Sequence, residues 1–265
     1  MNILVCIKIV PKVSDVKIDR ETGNLIRDGV KSIINPPDVH ALKMAIDLKN
    51  KTKGRVTVIT MGPEFAKEFL RYAIAMGADS GYIISSPDFR GSDTLATSYV
   101  LSRAVKTIGN FDLVLTGSQT IDGDTAQVGP ELAEHLSFNQ ATYVSDLEYI
   151  DNKLIAKRNI FNGIEKIQVE LPALITVLKG NVNINDYKDK VDDSLEFKIL
   201  SPDDIGADPS RIGQKGSATL VAEVFPPDEI SKGQILEGQT EEKIEKVLKI
   251  PVSYTHLTLP TKRIV

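Results

Sequence analysis

The run at residues 117–130 is the part of the sequence whose residue types best suit chemistry. Its sequence is Gly-Ser-Gln-Thr-Ile-Asp-Gly-Asp-Thr-Ala-Gln-Val-Gly-Pro, and it directly follows residues 111–116, which have the composition of a buried strand. Ligands bind beyond the carboxyl ends of strands in open parallel sheets. Gly117 and Gly123 permit close backbone approach or positive φ. The run therefore predicts a ligand-binding loop.

The second half of this run has the features of a helix start. Asp124 and Thr125 are N-cap residue types. Apolar residues follow at helical spacing, at Val128, Leu132 and Leu136. Free N–H groups at such a start suit a phosphate. A capped turn without a ligand has the same sequence, so the residues alone leave both interpretations open.

Three residues of the run constrain how a phosphate would be held. Asp122 and Asp124 are unfavourable beside a phosphate unless they turn toward backbone amides or a ribose hydroxyl. Pro130 cannot donate a helical hydrogen bond, so either the helix kinks or its regular part begins near Gly129.

Three further positions are weaker candidates. In Asn35-Pro36-Pro37-Asp38, the Asn35 amide could read an adenine edge, although a Pro-initiated helix with Asp38 near its positive end explains the same residues. Met61-Gly62-Pro63 fits an ordinary turn between strand and helix. Cys6 fits a buried, inert thiol whose backbone could touch a base.

Strands and helices alternate along the first half of the chain. Strands are predicted at 2–10, 55–60, 81–85 and 111–116, with helices opening at 35 and 93 and a third between 66 and 77. This alternation predicts βαβ units, a mostly parallel sheet and helices on both faces. Turn signals within residues 14–34 predict a hairpin or an excursion.

After Ala141 the pattern changes to hairpins. Alternating segments at 142–150, 153–161 and 165–170 are separated by turn residues, including Asn162-Gly163, and residues 172–177 return to a buried strand. We therefore predict an α/β domain over residues 1–185. We also predict an extended C-terminal arm with a short helix at 241–248 over residues 186–251, and we expect residues 252–265 to be a non-native tail in which His256 has no role.

Composition excludes several classes of protein. The 265 residues are 42% hydrophobic and 26% charged, with a net charge of −4, which favours a globular protein and disfavours nucleic acid as a partner. We expect no membrane span and no export signal, and hence a cytoplasmic protein. One cysteine and three histidines predict neither a disulfide nor a metal cluster.

Several catalytic and nucleotide-binding motifs are missing. The first predicted strand ends within Lys8-Ile9-Val10-Pro11, and neither a dinucleotide-binding fingerprint nor a P-loop occurs there. No sequence signature combines a nucleophile with a base. The sequence therefore favours binding without bond-breaking chemistry.

Six motifs together resemble the beta subunits of electron-transfer flavoproteins. Their order and spacing match over residues 1–177. They are Lys8-Ile-Val-Pro11, Asp28-Gly-Val-Lys31 leading into Ile34-Asn-Pro-Pro-Asp38, Met61-Gly-Pro63, Ala75-Met-Gly-Ala-Asp79, the run 117–130, and Leu171-Pro-Ala173. The long match at 122–130 is the most specific.

The resemblance implies a three-layer α/β/α sandwich of the adenine-nucleotide-binding, alpha-hydrolase-like type. It also implies a heterodimer with an alpha subunit that holds the electron-carrying FAD. In simpler members the beta subunit buries a structural AMP, and in bifurcating members the same pocket holds a second FAD that takes a hydride from NADH. The Asp-Gly-Asp-Thr-Ala-Gln-Val-Gly-Pro sequence resembles the bifurcating kind.

The same resemblance implies which residues bind the cofactor. Carried over by motif, they are Cys6, Asn35, Pro36, Pro37, Asp38, Met61, Gly117, Ser118, Gln119, Thr120, Ile121, Asp122, Gly123, Asp124, Thr125, Ala126, Gln127 and Val128. Residues 122–128 would cradle the phosphates, while Cys6 and Met61 would act through backbone or packing.

The chain departs from the family pattern in two places. Lys12 stands where the family has Asp, and residues 179–188 lack the usual stretch after the last buried strand. The family uses that region to recognise acyl-CoA dehydrogenases, so a flavin dehydrogenase of that kind is an expectation from family membership alone. Residues 201–206 resemble the family again, and the segment beyond them resembles an arm that wraps the alpha subunit.

Two other functions stay open at this point. An ATP-hydrolysing enzyme of the same broad fold would need a pyrophosphate-holding loop after the first strand, which the sequence lacks. A nucleotide-sensing stress protein would be stable alone, whereas the polar arm favours obligate pairing.

Overall fold

The computed structural model describes residues 1–12, 17–18, 25–26, 31–151, 153–221 and 236–249, with backbone pairing alone for 17–18 and 25–26. The chain divides into two compact units, Met1–Phe225 and Pro226–Val265. The described residues do not include most of the predicted excursion at 14–34, the motif at 28–30, or the tail at 252–265 with His256.

A nine-stranded sheet forms the centre of the first unit. In chain order the strands are β1 Asn2–Cys6, β2 Ile9–Pro11, β3 Lys17–Ile18, β4 Leu25–Ile26, β5 Ser32–Ile34, β6 Arg55–Met61, β7 Ser80–Ile84, β8 Leu113–Gly117, β9 Asn139–Ile150, β10 Lys153–Ile160, β11 Gly163–Val169, β12 Ala173–Val177 and β13 Lys198–Leu200. The sheet order is β11-β10-β9-β12-β8-β1-β6-β7-β13, and β2–β5 and β3–β4 form separate antiparallel pairs.

Helices cover both faces of this sheet. They are α1 Pro36–Thr52, α2 Lys67–Met76, α3 Thr94–Ile108 and α4 Val128–Leu136, while α5 Thr240–Lys249 belongs to the second unit. One apolar core joins α1 and α2 to the sheet, and the other joins α3 and α4 to its opposite face. The predicted three-layer α/β/α sandwich is confirmed.

Most of the sheet is parallel, and the hairpins form its antiparallel end. From β13 through β7, β6, β1, β8 and β12 to β9, each adjacent pair of strands is parallel, whereas the pairs β9–β10 and β10–β11 are antiparallel. The predicted first strand at 2–10 is interrupted, because residues 7–8 leave the sheet and β2 pairs with β5. Part of the predicted arm, β13, extends the sheet beside β7. The domain boundary at 186 stays a prediction.

The parallel strands end along one edge of the sheet, called here the carboxyl edge. Strands β1, β6, β8 and β12 finish there at Cys6, Met61, Gly117 and Val177. Helices α1, α2 and α4, which come after β1, β6 and β8 in the chain, therefore start beside the same edge. Among helices built from the described residues, none combines the length and hydropathy needed to cross a membrane.

Close packing of α4 on the sheet fixes its start at the carboxyl edge. Gly129 is buried in the first turn of α4. A Cβ atom at Gly129 would lie 2.5 Å from Thr176 Cγ2 and 3.0 Å from Thr116 Oγ1. Glycine at this position therefore lets α4 approach β8 and β12 closely.

We expect Gly129→Ala to lower the free energy of unfolding by about 1–3 kcal/mol, because the added methyl group overpacks the contact between helix and sheet. Urea denaturation would measure the change. Gly62→Ala is the matched control, since a Cβ atom there meets nothing within 4 Å. Equal stability of the two variants would contradict this account of the packing.

Candidate functional site

Asn35 links the start of α1 to the loop at residues 118–127. Its side chain is fully buried and makes no capping bond to its own helix. Instead, its Nδ2 donates to the Gln119 carbonyl at 2.9 Å and to Asp38 Oδ1 at 3.0 Å, and its Oδ1 accepts from the Ile121 N–H at 3.2 Å. The amide, which from the sequence could have read an adenine edge, thus has both hydrogens engaged within the protein, and it shapes the loop.

Asp38 joins the same loop to the segment that follows β1. Its carboxylate is 4% exposed. Oδ2 accepts from the Lys8 N–H at 2.7 Å, and Oδ1 accepts from the Gly117 N–H at 2.9 Å as well as from Asn35. A Cβ atom at Gly117 would lie 2.1 Å from Asp38 Oδ1, so this glycine allows close approach to a protein carboxylate. We call Asn35 and Asp38 the clamp.

Burial also sets the charge of the groups beneath the loop. Burial raises the pKa of the Asp38 carboxyl to about 7, against hydrogen bonds from Asn35, Lys8 and Gly117 and the positive charge of Lys8. Burial, with the nearby Asp38 carboxylate, likewise raises the pKa of the Cys6 thiol. The thiol therefore stays protonated near neutral pH, as expected of an inert cysteine.

Asp122 pairs with Lys8 and with the backbone of the loop. Its carboxylate pairs with Lys8 Nζ at 2.8 Å and accepts from the Gly123 N–H at 2.8 Å. Burial alone would raise the pKa of Asp122, but hydrogen bonds from Lys8 and Thr120 and the charge of Lys8 lower it below its usual value. Asp122 therefore accepts from a backbone amide, which is the condition given above for an aspartate beside a phosphate.

Sequence analysis missed Lys8 as a site residue. The available signal was its position immediately beyond the first strand, where carboxyl-edge residues collect. Its backbone N–H binds Asp38, its carbonyl accepts from the Asn35 N–H at 2.9 Å, and its ammonium group binds Asp122. Lys8 thus connects the clamp to the middle of the loop.

The prediction that Asp124 or Thr125 caps α4 is wrong, because the helix begins at Val128 and Gln127 occupies the N-cap position. A side-chain cap is absent there. Asp124 and Ala126 have positive φ values of 52° and 55°, whereas Gly117 and Gly123 do not.

The expectation for Pro130 is confirmed. This proline lies in the first turn of α4, close to the predicted start at Gly129. A residue in the first turn has no helical acceptor for its N–H, so proline loses nothing there.

Residues 125–129 present a series of free backbone donors. Within the described parts of the chain, no protein atom accepts a hydrogen bond from the N–H groups of Thr125, Ala126, Gln127, Val128 or Gly129. Residues 121–125 and 127 are exposed, so solvent reaches much of this loop. Successive N–H groups around left-handed residues at the positive end of a helix form an anion-binding concavity.

By contrast, the N–H groups at the base of the loop are occupied. Gly117, Ile121 and Gly123 donate to side-chain oxygens, and Ser118 donates to the Val177 carbonyl at 2.7 Å. The Asp124 N–H donates to the Thr120 carbonyl at 2.9 Å. Most N–H groups of the first half are therefore held by protein contacts, although those of Gln119, Thr120 and Asp122 are unpaired among the described residues. In the second half the free donors are consecutive.

The start of α3 adds polar groups beside this loop. Thr94 Oγ1 donates to Gln127 Oε1 at 3.4 Å and to Glu131 Oε1 at 3.2 Å. Glu131 Oε2 is buried and has no hydrogen-bond partner among the described residues. Sequence analysis missed both Thr94 and Glu131, because their proximity depends on the packing of α3 against α4.

The structure brings together most of the predicted site residues. The segment Asn35–Asp38 contacts the loop that contains Gly117 to Val128 through the bonds described above. Cys6 and Met61 pack in the apolar core on the α3 and α4 face, at the ends of their strands. Direct contact of any of these residues with a cofactor stays a prediction.

Comparison with known proteins identifies the family. The family model for the electron transfer flavoprotein domain matches residues 22–194, which is more than half of the chain. The chain belongs to the electron transfer flavoprotein family. Its relatives place it among the beta subunits. The sequence-based identification of the family is confirmed.

Three curated relatives of this electron transfer flavoprotein chain align over nearly all of its length. The electron transfer flavoprotein subunit beta of Thermoanaerobacterium thermosaccharolyticum is 43% identical, covering 94% of this chain and 97% of the relative. Subunit CarD of the caffeyl-CoA reductase-Etf complex of Acetobacterium woodii is 41% identical, with coverages of 97% and 100%. The acryloyl-CoA reductase electron transfer subunit gamma of Anaerotignum propionicum is 38% identical, with coverages of 94% and 97%.

The buried Asp38 carboxyl should make stability depend on pH. Its folded-state pKa of about 7 lies above the ~3.9 of an exposed aspartate, so between these values the folded protein binds a proton that the unfolded chain does not. The free energy of unfolding therefore falls as pH rises through this window. The free energy of unfolding of D38N, taken relative to that of wild type at the same pH, should therefore rise by up to about 4 kcal/mol between about pH 4 and pH 7.

Urea titrations across this pH range would measure the difference. D47N is the control, because Asp47 lies on the same helix but is exposed and pairs with Lys43 alone among the described residues. Its curve should run parallel to that of wild type. A difference between D38N and wild type that stays constant with pH would contradict the raised pKa.

Proposed function

We propose that this chain is the nucleotide-binding beta subunit of a heterodimeric electron carrier and that it binds FAD or AMP at the carboxyl edge of its sheet. The free N–H groups of residues 125–129 are the observation that supports the proposal most directly. They would hold the phosphates of the nucleotide, with the positive end of the α4 dipole behind them.

The remaining residues have supporting roles in this proposal. Met61 and Cys6 would contribute backbone and packing near the adenine, and the clamp would hold the first half of the loop. The ion pair between Lys8 and Asp122 would keep the Asp122 carboxylate away from the phosphates. The protein would thus supply position and electrostatics, while a bound flavin supplies the redox chemistry.

We favour FAD over AMP as the ligand of this subunit. The loop sequence Asp-Gly-Asp-Thr-Ala-Gln-Val-Gly-Pro resembles that of bifurcating members of the family. A flavin here would accept a hydride from NADH, and its two electrons would then leave separately, one to the FAD of the alpha subunit and one to a low-potential acceptor. An AMP in the same place would have a structural role alone.

The names of two relatives indicate a class of partner. Subunit CarD belongs to a caffeyl-CoA reductase complex, and the relative from Anaerotignum propionicum is an electron transfer subunit of an acryloyl-CoA reductase. We propose that this chain, with an alpha subunit, exchanges electrons with a flavin dehydrogenase that acts on a CoA thioester, and that the pair works in the cytoplasm.

Counting the nucleotides in the purified heterodimer tests the cofactor directly. The proposal predicts two flavins and no AMP for each pair of alpha and beta subunits, with NADH reducing the flavin. One flavin and one AMP would rule out bifurcation but retain nucleotide binding by this subunit. One flavin with no second nucleotide would contradict the proposed site, and ATP turnover would favour the hydrolase instead.

The role of the free N–H groups can be tested with a matched pair of variants at Ala126. Asn and Asp both tolerate the left-handed conformation found there, and they differ mainly in charge. Ala126→Asp should weaken nucleotide binding by about tenfold or more, because its carboxylate competes for the donors and repels the phosphates. Ala126→Asn should bind nearly as wild type does.

Calorimetric titration of nucleotide-free heterodimers with AMP would measure both affinities. Circular dichroism would show that the two variants are equally folded. Equal losses of AMP affinity in Ala126→Asp and Ala126→Asn would mean that side-chain shape alone matters at this position. Unchanged affinity in Ala126→Asp would mean that the phosphates bind elsewhere.

A further inference from the structure

The clamp holds the first half of the loop, and the consecutive free donors at 125–129 lie in the second half. Asn35 and Asp38 together bind the backbone of Lys8, Gly117, Gln119 and Ile121. Both clamp residues are buried, and neither lies among the free N–H groups. The position of the donors therefore depends on residues that need not touch a phosphate themselves.

The bonding of Asp38 favours an ionised carboxylate. Its two oxygens receive three hydrogens, from the Lys8 N–H, the Gly117 N–H and Asn35 Nδ2. Each partner is a donor, so a proton added to either oxygen would compete with these donors for the lone pairs of that oxygen. Protonation would therefore weaken the hold on Gly117, where the loop leaves β8.

We propose that Asp38 is a positioning residue whose ionised carboxylate holds the loop in its nucleotide-binding shape, and that nucleotide binding expels a proton from this carboxyl. The inference rests on the proposed function. It adds that affinity for the nucleotide falls as Asp38 becomes protonated. By linkage, the nucleotide and the proton compete although they occupy different places.

The raised pKa of Asp38 places this competition near neutral pH. The ionisable groups that face it are Lys8, whose charge favours the carboxylate, and the protonated Cys6 on β1. Asp122 from the loop is already paired with Lys8. On α1 itself, His40 binds the Leu178 carbonyl through Nδ1 at 2.7 Å.

The test compares wild type, D38N and D47N as nucleotide-free heterodimers titrated with AMP at pH 6, 7 and 8.5. Calorimetry in two buffers of different ionisation enthalpy gives both the affinity and the protons released. The phosphate of AMP also titrates near pH 6, but it does so identically in all three proteins. The ratio of wild-type to D38N affinity therefore isolates Asp38.

We expect wild type and D47N to bind about tenfold more tightly than D38N at pH 8.5. The ratio should shrink toward one at pH 6, and wild type should release more protons than D38N at pH 7. A ratio that stays constant with pH, with equal proton release, would overturn the inference. Failure of wild type to bind AMP or FAD at any pH would overturn the proposed function and this inference with it.

A second measurement does not need a variant. In wild-type heterodimer labelled with ¹³C at aspartate carboxyl groups, the Asp38 signal should titrate at lower pH when AMP is bound. An unchanged midpoint would overturn the inference even if D38N fails to fold.

Discussion

The hydrogen bonds that converge on Asp38 are the constraint on which the site depends. A carboxylate this deeply buried is costly unless donors surround it. Here the donors come from the segment after β1, from the end of β8 and from the start of α1. Satisfying one buried charge thereby brings three parts of the chain to fixed positions at the carboxyl edge.

The close approach of backbone to Asp38 also explains the residue at the base of the loop. Any side chain at Gly117 would collide with the Asp38 carboxylate, so the loop can leave β8 in this direction only with glycine. At the other end of the loop, Gly129 lets α4 pack against β8 and β12. Between these two glycines, residues 118–127 form no helix or strand, and the N–H groups of residues 125–127 are unpaired among the described residues.

Much of the fold followed from patterns in the sequence. Buried strands such as β8 and β12 have continuous apolar runs, and α1 has prolines at its start, so each element is specified locally. The Asn162-Gly163 turn likewise identified the hairpin of β10 and β11. In contrast, β13 lies in a polar region, and its pairing with β7 depends on tertiary contacts that a short segment does not encode.

The candidate site was predictable in location but not in detail. The run at 117–130 pointed to the carboxyl edge, but the residue-level roles of Asn35 and Asp38 depend on partners about 80 residues away in sequence. The start of α4 lies close to Gly129, as predicted, but Asp124 and Thr125 do not cap it, because Gln127 occupies the N-cap position and the chain adopts left-handed conformations at 124 and 126. Only its contacts with Asp38 and Asp122 identify Lys8 as a site residue.

Backbone hydrogen exchange in the heterodimer, with and without bound nucleotide, tests most directly whether residues 125–129 hold the phosphates. The unpaired N–H groups of the exposed residues Thr125 and Gln127 should exchange quickly, and a bound phosphate should protect them. We predict strong slowing at 125–129 on nucleotide binding, with little change at the already bonded N–H groups of Gly117 and Ser118. Unchanged exchange at 125–129 in a nucleotide-saturated complex would contradict the account.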